Sequence, residues 1–418
     1  MNRENLKTIA YFIGQFPSPS HTYFWREVRA LRGLGVSVDL VSTRMPQTAL
    51  APHAWVPEAI AQTEYLFPLS IRSFFECLLL IITAGPGRWL RCMKSIIQAD
   101  GVKLTGRVRL AAMLFAGARL ALSGRRHGWS HVHVALCADA ANIALFAKLL
   151  TDLPYSLTLH SFLKEWGPNQ RQKWGHAAFG TAVSQSLADE LHKELGESVP
   201  NSLTIVPMGV DTVEFRRTNP YVPWNGDGAV RIFCAARLTP LKGQQDLLRA
   251  ISLMRDHGVE VHLRLAGEDM DETKWFTGEL QRLIGELDLT DQVDLLGPIA
   301  EDVVRSELET AHIFVLPSYA EGTSVAVMEA MAMGVPVVVT NVDGMPNLVE
   351  DNVDGLLVKP GAPEQLSERL QLLLGEPELA IKLSSCSRPK IERRFGTEPS
   401  ARVLLKGIYG ETKMAEPA

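Results

Sequence analysis

Several familiar chemistries have no motif in this 418-residue chain. There is no P-loop, no GxGxxG turn and no HExxH pair, which argues against a Walker-type ATPase, a dinucleotide oxidoreductase and a zinc protease. The five cysteines, Cys77, Cys92, Cys137, Cys234 and Cys386, are scattered without CxxC spacing, so reduced structural thiols are expected rather than disulfides or a zinc site. No run approaches the roughly 18 apolar residues of a membrane span, and no signal peptide precedes the first strand-like segment. A cytoplasmic protein is therefore expected. The formal net charge of −5 gives no global reason to expect nucleic acid as a partner. What remains is 46% hydrophobic and 21% charged, over more length than one core usually spans: a two-domain globular enzyme by composition.

The most informative stretch is Glu321-Gly322-Thr323-Ser324-Val325-Ala-Val-Met-Glu329, set directly after the apolar run Ile313-Phe-Val-Leu-Pro-Ser318. A strand that breaks at Pro317 and Gly322 and restarts as a helix near Ser324 aims free helix N–H groups at the strand's carboxyl end, where α/β sheets bind anions. Were all eight residues helical, the two carboxylates would lie roughly 12 Å apart along the axis. Carboxylates accept hydrogen bonds from hydroxyls, and a nucleotide sugar carries hydroxyls on both sides of its diphosphate. The spacing thus suits a sugar nucleotide better than plain phosphate. The simpler reading is an ordinary strand-loop-helix unit with two solvated glutamates.

Upstream, Arg237-Leu-Thr-Pro-Leu-Lys242-Gly243 follows the strand-like run Val230 to Ala235. A guanidinium fork and an ammonium at a strand end before a helix can neutralise a diphosphate. Further strands are expected at Val261 to Ala266, Val293 to Leu296, Ile313 to Leu316, Pro336 to Val339 and Gly355 to Val358, with helical patterns between. Six such alternations read as one parallel sheet. The first half opens with a strand from Thr8 to Ile13, then Gly14, a helix from about Tyr23 to Leu34 and a strand from Val36 to Val41, the start of a doubly wound sheet. Gly14 lets a ligand lie against the main chain at that strand's carboxyl end. Strand Tyr155 to Leu159 delivers His160 to the same edge. Two motifs invite metal: His131-Val-His133, and Asp269-Met-Asp271. Strand alternation aims both histidines at one face with no third ligand evident, which favours a structural role, and a three-residue Asp-x-Asp arises easily by chance.

The segment from Glu321 through Glu329-Ala-Met-Ala-Met-Gly-Val-Pro-Val-Val338, continued by Asn341-Val-Asp-Gly-Met-Pro346 and Asp354-Gly-Leu-Leu-Val-Lys-Pro-Gly361, resembles glycosyltransferase family 4. That resemblance implies the α/β GT-B fold, two Rossmann-like doubly wound domains facing each other across a cleft, and retaining sugar transfer without a required metal or cofactor. It implies an acceptor domain over residues 1–207, completed by a C-terminal helix at about 395–412, and a nucleotide-sugar domain over 208–394. Arg237 and Lys242 become the diphosphate grip, Glu329 the ribose contact, Glu321 and His160 the sugar contacts, and Gly297-Pro-Ile299 the base site. Gly322, Thr323, Ser324 and Val325 line the donor loop, and Gly14 the opposite wall. The chain departs from the pattern at Asp343, usually Gly, at Asn347, usually acidic, and at His312, usually Asp. After His160 the usual acidic and second His positions read Phe162 and Leu163. Phe16-Pro-Ser-Pro-Ser-His21-Thr-Tyr-Phe24 is similar to a segment of exopolysaccharide-building members, with His21 in place of Glu.

The expected function is transfer from a UDP- or GDP-sugar to a saccharide or lipid-linked glycan, in bacterial exopolysaccharide or cell-surface polysaccharide synthesis. The alternative is a nucleotide-sugar or glycan binding protein that keeps the fold without turnover. Between Ile60 and Ser130, ten Lys/Arg stand against three Asp/Glu, a local +7 that leaves −12 elsewhere. With Phe74, Phe75 and Trp89 interleaved, this block fits either a peripheral contact with an anionic leaflet or amphipathic helices packed on the domain core. The tail Glu411 to Ala418 is expected to be disordered.

Overall fold

A computed structural model describes residues 8–18, 21–46, 53–269, 271 and 273–410. The chain divides into two compact units, one made of residues up to Pro207 together with the segment from Glu398 onward, the other of Met208–Thr397; the short stretch 51–54 groups with the second. The expected disorder of Glu411 to Ala418 falls outside the described residues.

The first unit is built on seven parallel strands: β1 Ile9–Gln15, β2 Val38–Arg44, β3 Thr63–Tyr65, β4 His131–Val134, β5 Tyr155–Leu159, β6 Gly180–Ala182 and β7 Leu203–Ile205. Their order is β3-β2-β1-β4-β5-β6-β7. The chain therefore winds outward one way from β1 and the other way from β4, so the gap between their carboxyl ends is the switch point where doubly wound sheets bind ligands. β4 and β5 are buried along their whole lengths, as parallel strands covered on both faces must be. The second strand starts two residues later than expected. Val36 instead closes the preceding helix, Thr22–Gly33: its N–H reaches back to the Leu31 carbonyl at 3.2 Å, and Gly35, at φ 88°, makes the turn.

His131 and His133 share one partner. Ser156 Oγ lies 2.9 Å from His131 Nε2 and 2.9 Å from His133 Nδ1, and the chain of contacts runs on through Thr158 to Thr181. The pair belongs to a buried polar ladder across β4, β5 and β6, which satisfies groups that an apolar sheet interior would leave unpaired. Among the described residues no three His, Cys, Asp or Glu side chains cluster as a metal would require. The C-terminal helix Thr397–Tyr409 adds Ala401, Leu404 and Leu405 to the core around Phe24, Val28 and Leu31, and Ser400 Oγ donates to Glu27 at 3.3 Å.

In the second unit six parallel strands, β8 Val230–Ala235, β9 Val261–Ala266, β10 Val293–Gly297, β11 Ile313–Leu316, β12 Val337–Thr340 and β13 Leu356–Val358, run in the order β10-β9-β8-β11-β12-β13. The switch point here lies between β8 and β11. The Arg237–Lys242 loop leaves β8 and the Glu321 loop leaves β11, so segments about 80 residues apart in sequence become neighbours.

Candidate active site

Backbone packing brings the two loops of the second unit together before any side chain does. After β8 a short turn, Pro240–Lys242, is opened by Thr239, whose hydroxyl accepts from the Leu241 N–H at 3.3 Å, and is closed by Gly243 at φ 69°. A Cβ on Gly243 would stand 2.0 Å from the Pro317 carbonyl oxygen, so only glycine lets the Lys242 loop lie against the end of β11. The Tyr319 N–H then donates to the Leu241 carbonyl at 2.8 Å, and its hydroxyl donates to Asp246 Oδ2 at 2.5 Å. Lys242 is thereby delivered to Glu321. Its Nζ forms an ion pair with Glu321 Oε2, and the two side chains are only 12% and 13% exposed. Ser318 Oγ donates to the same carboxylate oxygen at 3.3 Å.

Arg237 stands at the mouth of this loop, exposed and without an ion pair among the described residues. Gln244 fixes its backbone by donating to the Arg237 carbonyl at 2.8 Å. The helix after Glu321 begins later than an all-helical reading assumes: Val325–Ala332 is helical, and Glu321, Gly322 and Thr323 are loop. Ser324 caps it, accepting from the Val327 N–H. The remaining N–H groups of the first turn have no intrahelical partner and carry the positive end of the helix dipole. Glu329 lies one turn into that helix, half-buried. Gly297 ends β10, where its carbonyl accepts from the Gly267 N–H at 2.9 Å, and Ile299 packs half-buried on the unit's core.

One contributor was visible in the sequence only as a departure. Asp343 has φ 43°, and its carboxylate accepts the Glu321 N–H at 3.0 Å, while Gly344 next to it comes so close to Gly322 that a Cβ would stand 2.0 Å from that carbonyl. Aspartate tolerates the left-handed region and uses its side chain to hold the Glu321 loop, so the position pairs unusual backbone with a new restraint. The other two departures lie elsewhere. His312 precedes β11 at the amino end of the sheet, where its Nδ1 accepts the Arg231 N–H at 3.1 Å. Burial, helped by Arg231 and Arg217, pulls it down to about 4. Asn347 is exposed on the Met345–Leu348 turn. A cavity of about 610 Å³ also opens at that amino end, and its Arg264 is spent on Glu307 at 2.7 Å and Asp294 at 2.8 Å.

The Asp269-Met-Asp271 alternative meets a competing use of its carboxylates; Met270 itself lies outside the described residues. Asp269 accepts from Asp271 and Thr277 N–H groups at 3.1 and 3.0 Å, and Asp271 accepts from the Thr273 N–H at 2.8 Å. Burial alone would raise the Asp269 carboxyl, but these N–H donors outweigh it and hold it below its ordinary value. Both acids are turn and helix-start residues here.

In the first unit, Gly14 lies within β1 near its carboxyl end, and a Cβ there would make only an ordinary 3.7 Å contact with Ala140. His160 follows β5 directly and sits in an aromatic nest, its ring 5.2 Å from Tyr23 and 5.3 Å from Phe24. Neither ring nitrogen has a hydrogen-bond partner among the described residues. Burial, with a smaller push from His21, depresses His160 to about 3. The ring is therefore neutral at physiological pH, able to donate from one nitrogen and accept at the other. His21 stacks on Phe16 at 6.1 Å and is itself lowered to about 4 by burial. Next in sequence, the Leu163 N–H donates to Glu190 Oε2 at 3.3 Å, so an acid does approach this loop, from a distant helix.

The buried histidines give a pH dependence. His131, His160, His21 and His312 stay neutral in the folded chain far below 6.5, whereas each gains a proton on unfolding once the pH drops under that value. The unfolded state then binds more protons, so stability is flat above 6.5 and falls as the pH is lowered, by up to about 1.4 kcal/mol per unit for each such group. Thermal melts should show Tm dropping between pH 6.5 and 5, above the range of ordinary carboxylate titration. Equal Tm at pH 7 and pH 5 would contradict the burial of these rings.

The comparisons with known proteins agree with this geometry. The family model for glycosyl transferases group 1 matches residues 229–376. A protein of Escherichia coli K12 assigned as the colanic acid biosynthesis glycosyltransferase WcaL is 32% identical over 413 residues, 95% of this chain and 98% of that one. The chain belongs to the group 1 glycosyl transferases. This glycosyltransferase is also 30% identical over 226 residues to the amylovoran biosynthesis glycosyltransferase AmsK of Erwinia amylovora, covering 51% of this chain and 53% of that one. In architecture it is similar to Anabaena HepE, solved with UDP-glucose, at a TM-score of 0.68 and 16% identity over 95% of this chain and 98% of that one. Its two parallel-sheet, Rossmann-like units are those of the GT-B fold.

Proposed function

We propose that this glycosyltransferase moves a sugar from a UDP- or GDP-sugar to a saccharide or lipid-linked glycan in exopolysaccharide or cell-surface polysaccharide synthesis, with retention of anomeric configuration. The observation that carries the donor reading is the pairing of Lys242 with Glu321 at the switch point of the second sheet, on the two loops that also carry Arg237, which has no ion pair among the described residues, and the Ser324-capped helix. A cation, a guanidinium and a helix N-terminus are carried by the loops that leave the adjacent strands β8 and β11, a set of groups suited to a diphosphate. The relatives WcaL and AmsK, assigned to colanic acid and amylovoran synthesis, support the acceptor class.

In the proposed step the bond between the sugar's anomeric carbon and the diphosphate oxygen breaks, and the acceptor hydroxyl oxygen bonds to that carbon on the same face. The hydroxyl proton passes to the departing diphosphate. Lys242 and Arg237 neutralise the charge that grows on the leaving oxygen. Glu329 accepts from the nucleotide ribose hydroxyls, and Glu321 and His160 hold the sugar. A thermal-shift panel of UDP- and GDP-sugars tests donor binding, since a ligand that binds only the folded state raises Tm. No stabilisation by any member would sink the donor site.

Because protein groups supply the positive field, no divalent cation is needed at the diphosphate. Transfer should persist in EDTA, Asp271→Asn should be nearly silent, and an α-linked donor should give an α anomeric proton by NMR. Strict manganese dependence joined to inactivation by Asp271→Asn would replace this mechanism with a metal-based one; a β product would overturn retention.

A further inference from the structure

The connection from β3 to β4 carries three helices, Ile71–Thr83, Pro86–Ile97 and Leu104–His127, which expose apolar side chains alongside basic ones. Of the 21 large hydrophobic side chains exposed in the described chain, 11 fall between Ile71 and Val108, so the exposure is concentrated rather than scattered. On the first helix Ile71, Phe75 and Leu79 are 79%, 61% and 62% exposed, spaced four residues apart on one side, while Cys77 and Leu80 bury the other. A helix apolar all round has no solvent-facing side in the ordinary sense; it needs cover on both faces. The inner cover is present, with Phe74 stacked on Phe115 of the long helix at 5.6 Å. Leu90 on the second helix is 70% exposed and Leu104 on the third is 78% exposed. The Trp89 indole N–H donates to the Ile81 carbonyl and ties the first two helices edge to edge.

Bases frame this face. From Ile71 to Val108 there are six Lys/Arg and two Asp/Glu, and Glu76 is already engaged by Arg72 at 2.9 Å and Arg126 at 3.5 Å. Lys94 and Lys103 are exposed and have no ion pair among the described residues. No described helix is long and apolar enough to cross a membrane.

We infer that this face of the three helices docks on an anionic lipid bilayer, with Phe75, Leu79 and Leu90 entering the interface and Lys94 and Lys103 reaching lipid phosphates. A bilayer accepts apolar side chains from separate helices without matching their relief, and its negative surface complements unpaired bases whose long stems can lie along the apolar boundary. A second copy of the chain would instead bring the same positive face against its own kind. None of these residues belongs to the donor site.

Flotation with vesicles of phosphatidylcholine and phosphatidylglycerol at about 3:1 tests it against phosphatidylcholine alone. The full chain should float with the mixed vesicles, should not with the neutral ones, and should lose most binding near 0.5 M salt, where charge attraction is screened to a few ångströms. The triple variant Phe75→Ser, Leu79→Ser, Leu90→Ser and the double variant Lys94→Glu, Lys103→Glu should each bind about tenfold less, with melts and donor-induced thermal shifts like the parent's. Absence of the parent from mixed vesicles, or unchanged flotation of the triple variant, would overturn the assignment. So would a dimer in sedimentation that the triple variant dissolves, since the face would then belong to a second copy. Because donor-induced shifts are read without lipid, failure here is distinguishable from failure of the donor site.

Discussion

Replacing Lys242 by alanine should lower kcat/KM by about 100-fold or more, and replacing Arg237 by alanine should do the same, because on the proposed mechanism each removes a charge-stabilising donor that acts most strongly as the diphosphate departs. The two losses should look different in the free enzyme. Arg237 is exposed and has no ion-pair partner among the described residues, so its removal costs little stability. Removing Lys242 leaves Glu321 part-buried with only the Ser318 hydroxyl at 3.3 Å and no cation, an arrangement that penalises the folded state. Steady-state kinetics with a nucleotide sugar, read beside melting curves, separates the effects. Near-normal transfer by either variant would remove that residue from the diphosphate grip, and a Lys242→Met variant as slow as Lys242→Ala would show that charge, not bulk, is what matters.

The second large effect comes from a residue with no side chain. Gly243→Val places a branched side chain at φ 69°, aimed at the Pro317 carbonyl oxygen 2.0 Å from where its Cβ would stand. Backbone cannot yield as a side-chain tip can, and left-handed strain adds to the overlap, together on the order of 3 kcal/mol. The loop that presents Lys242 must swing away, so donor-induced stabilisation should vanish along with several degrees of Tm. Gly278→Ala is the matched control. Gly278 is exposed on the Trp275–Glu286 helix with nothing within 4 Å of where a methyl group would stand, so alanine there should hold or raise Tm by helix propensity. Equal melts and donor response in Gly243→Val and the parent would mean that the two loops are not locked together.

Much of the sheet was legible because its strands are short apolar runs buried on both faces and punctuated by turn residues. Tyr155–Leu159, Val230–Ala235, Val261–Ala266 and Ile313–Leu316 begin and end where that pattern places them. Thr63–Tyr65 and Leu203–Ile205 carry three residues each, too few for any period, and are defined by their hydrogen-bonded neighbours instead. That Arg237 and Lys242 follow one strand and that the two acids follow another could be read from spacing. That Lys242 meets Glu321 could not, since the meeting depends on β8 and β11 being adjacent across the switch point. Asp343 could be seen only as an odd residue until its φ and its bond to the Glu321 N–H gave it a task. Conversely, His312 looked as significant as Asp343 in the sequence, yet it lies at the far end of the strands.

The helix Thr397–Tyr409 has a consequence for how the molecule is made. It completes the core of the first unit, but the ribosome delivers it only after all of residues 208–397. During synthesis the Phe24, Val28 and Leu31 surface must wait uncovered while a later unit folds ahead of it, a period in which exposed apolar surface invites aggregation. A nonsense mutation or proteolytic cut within that helix would therefore injure the beginning of the protein and leave the second unit whole.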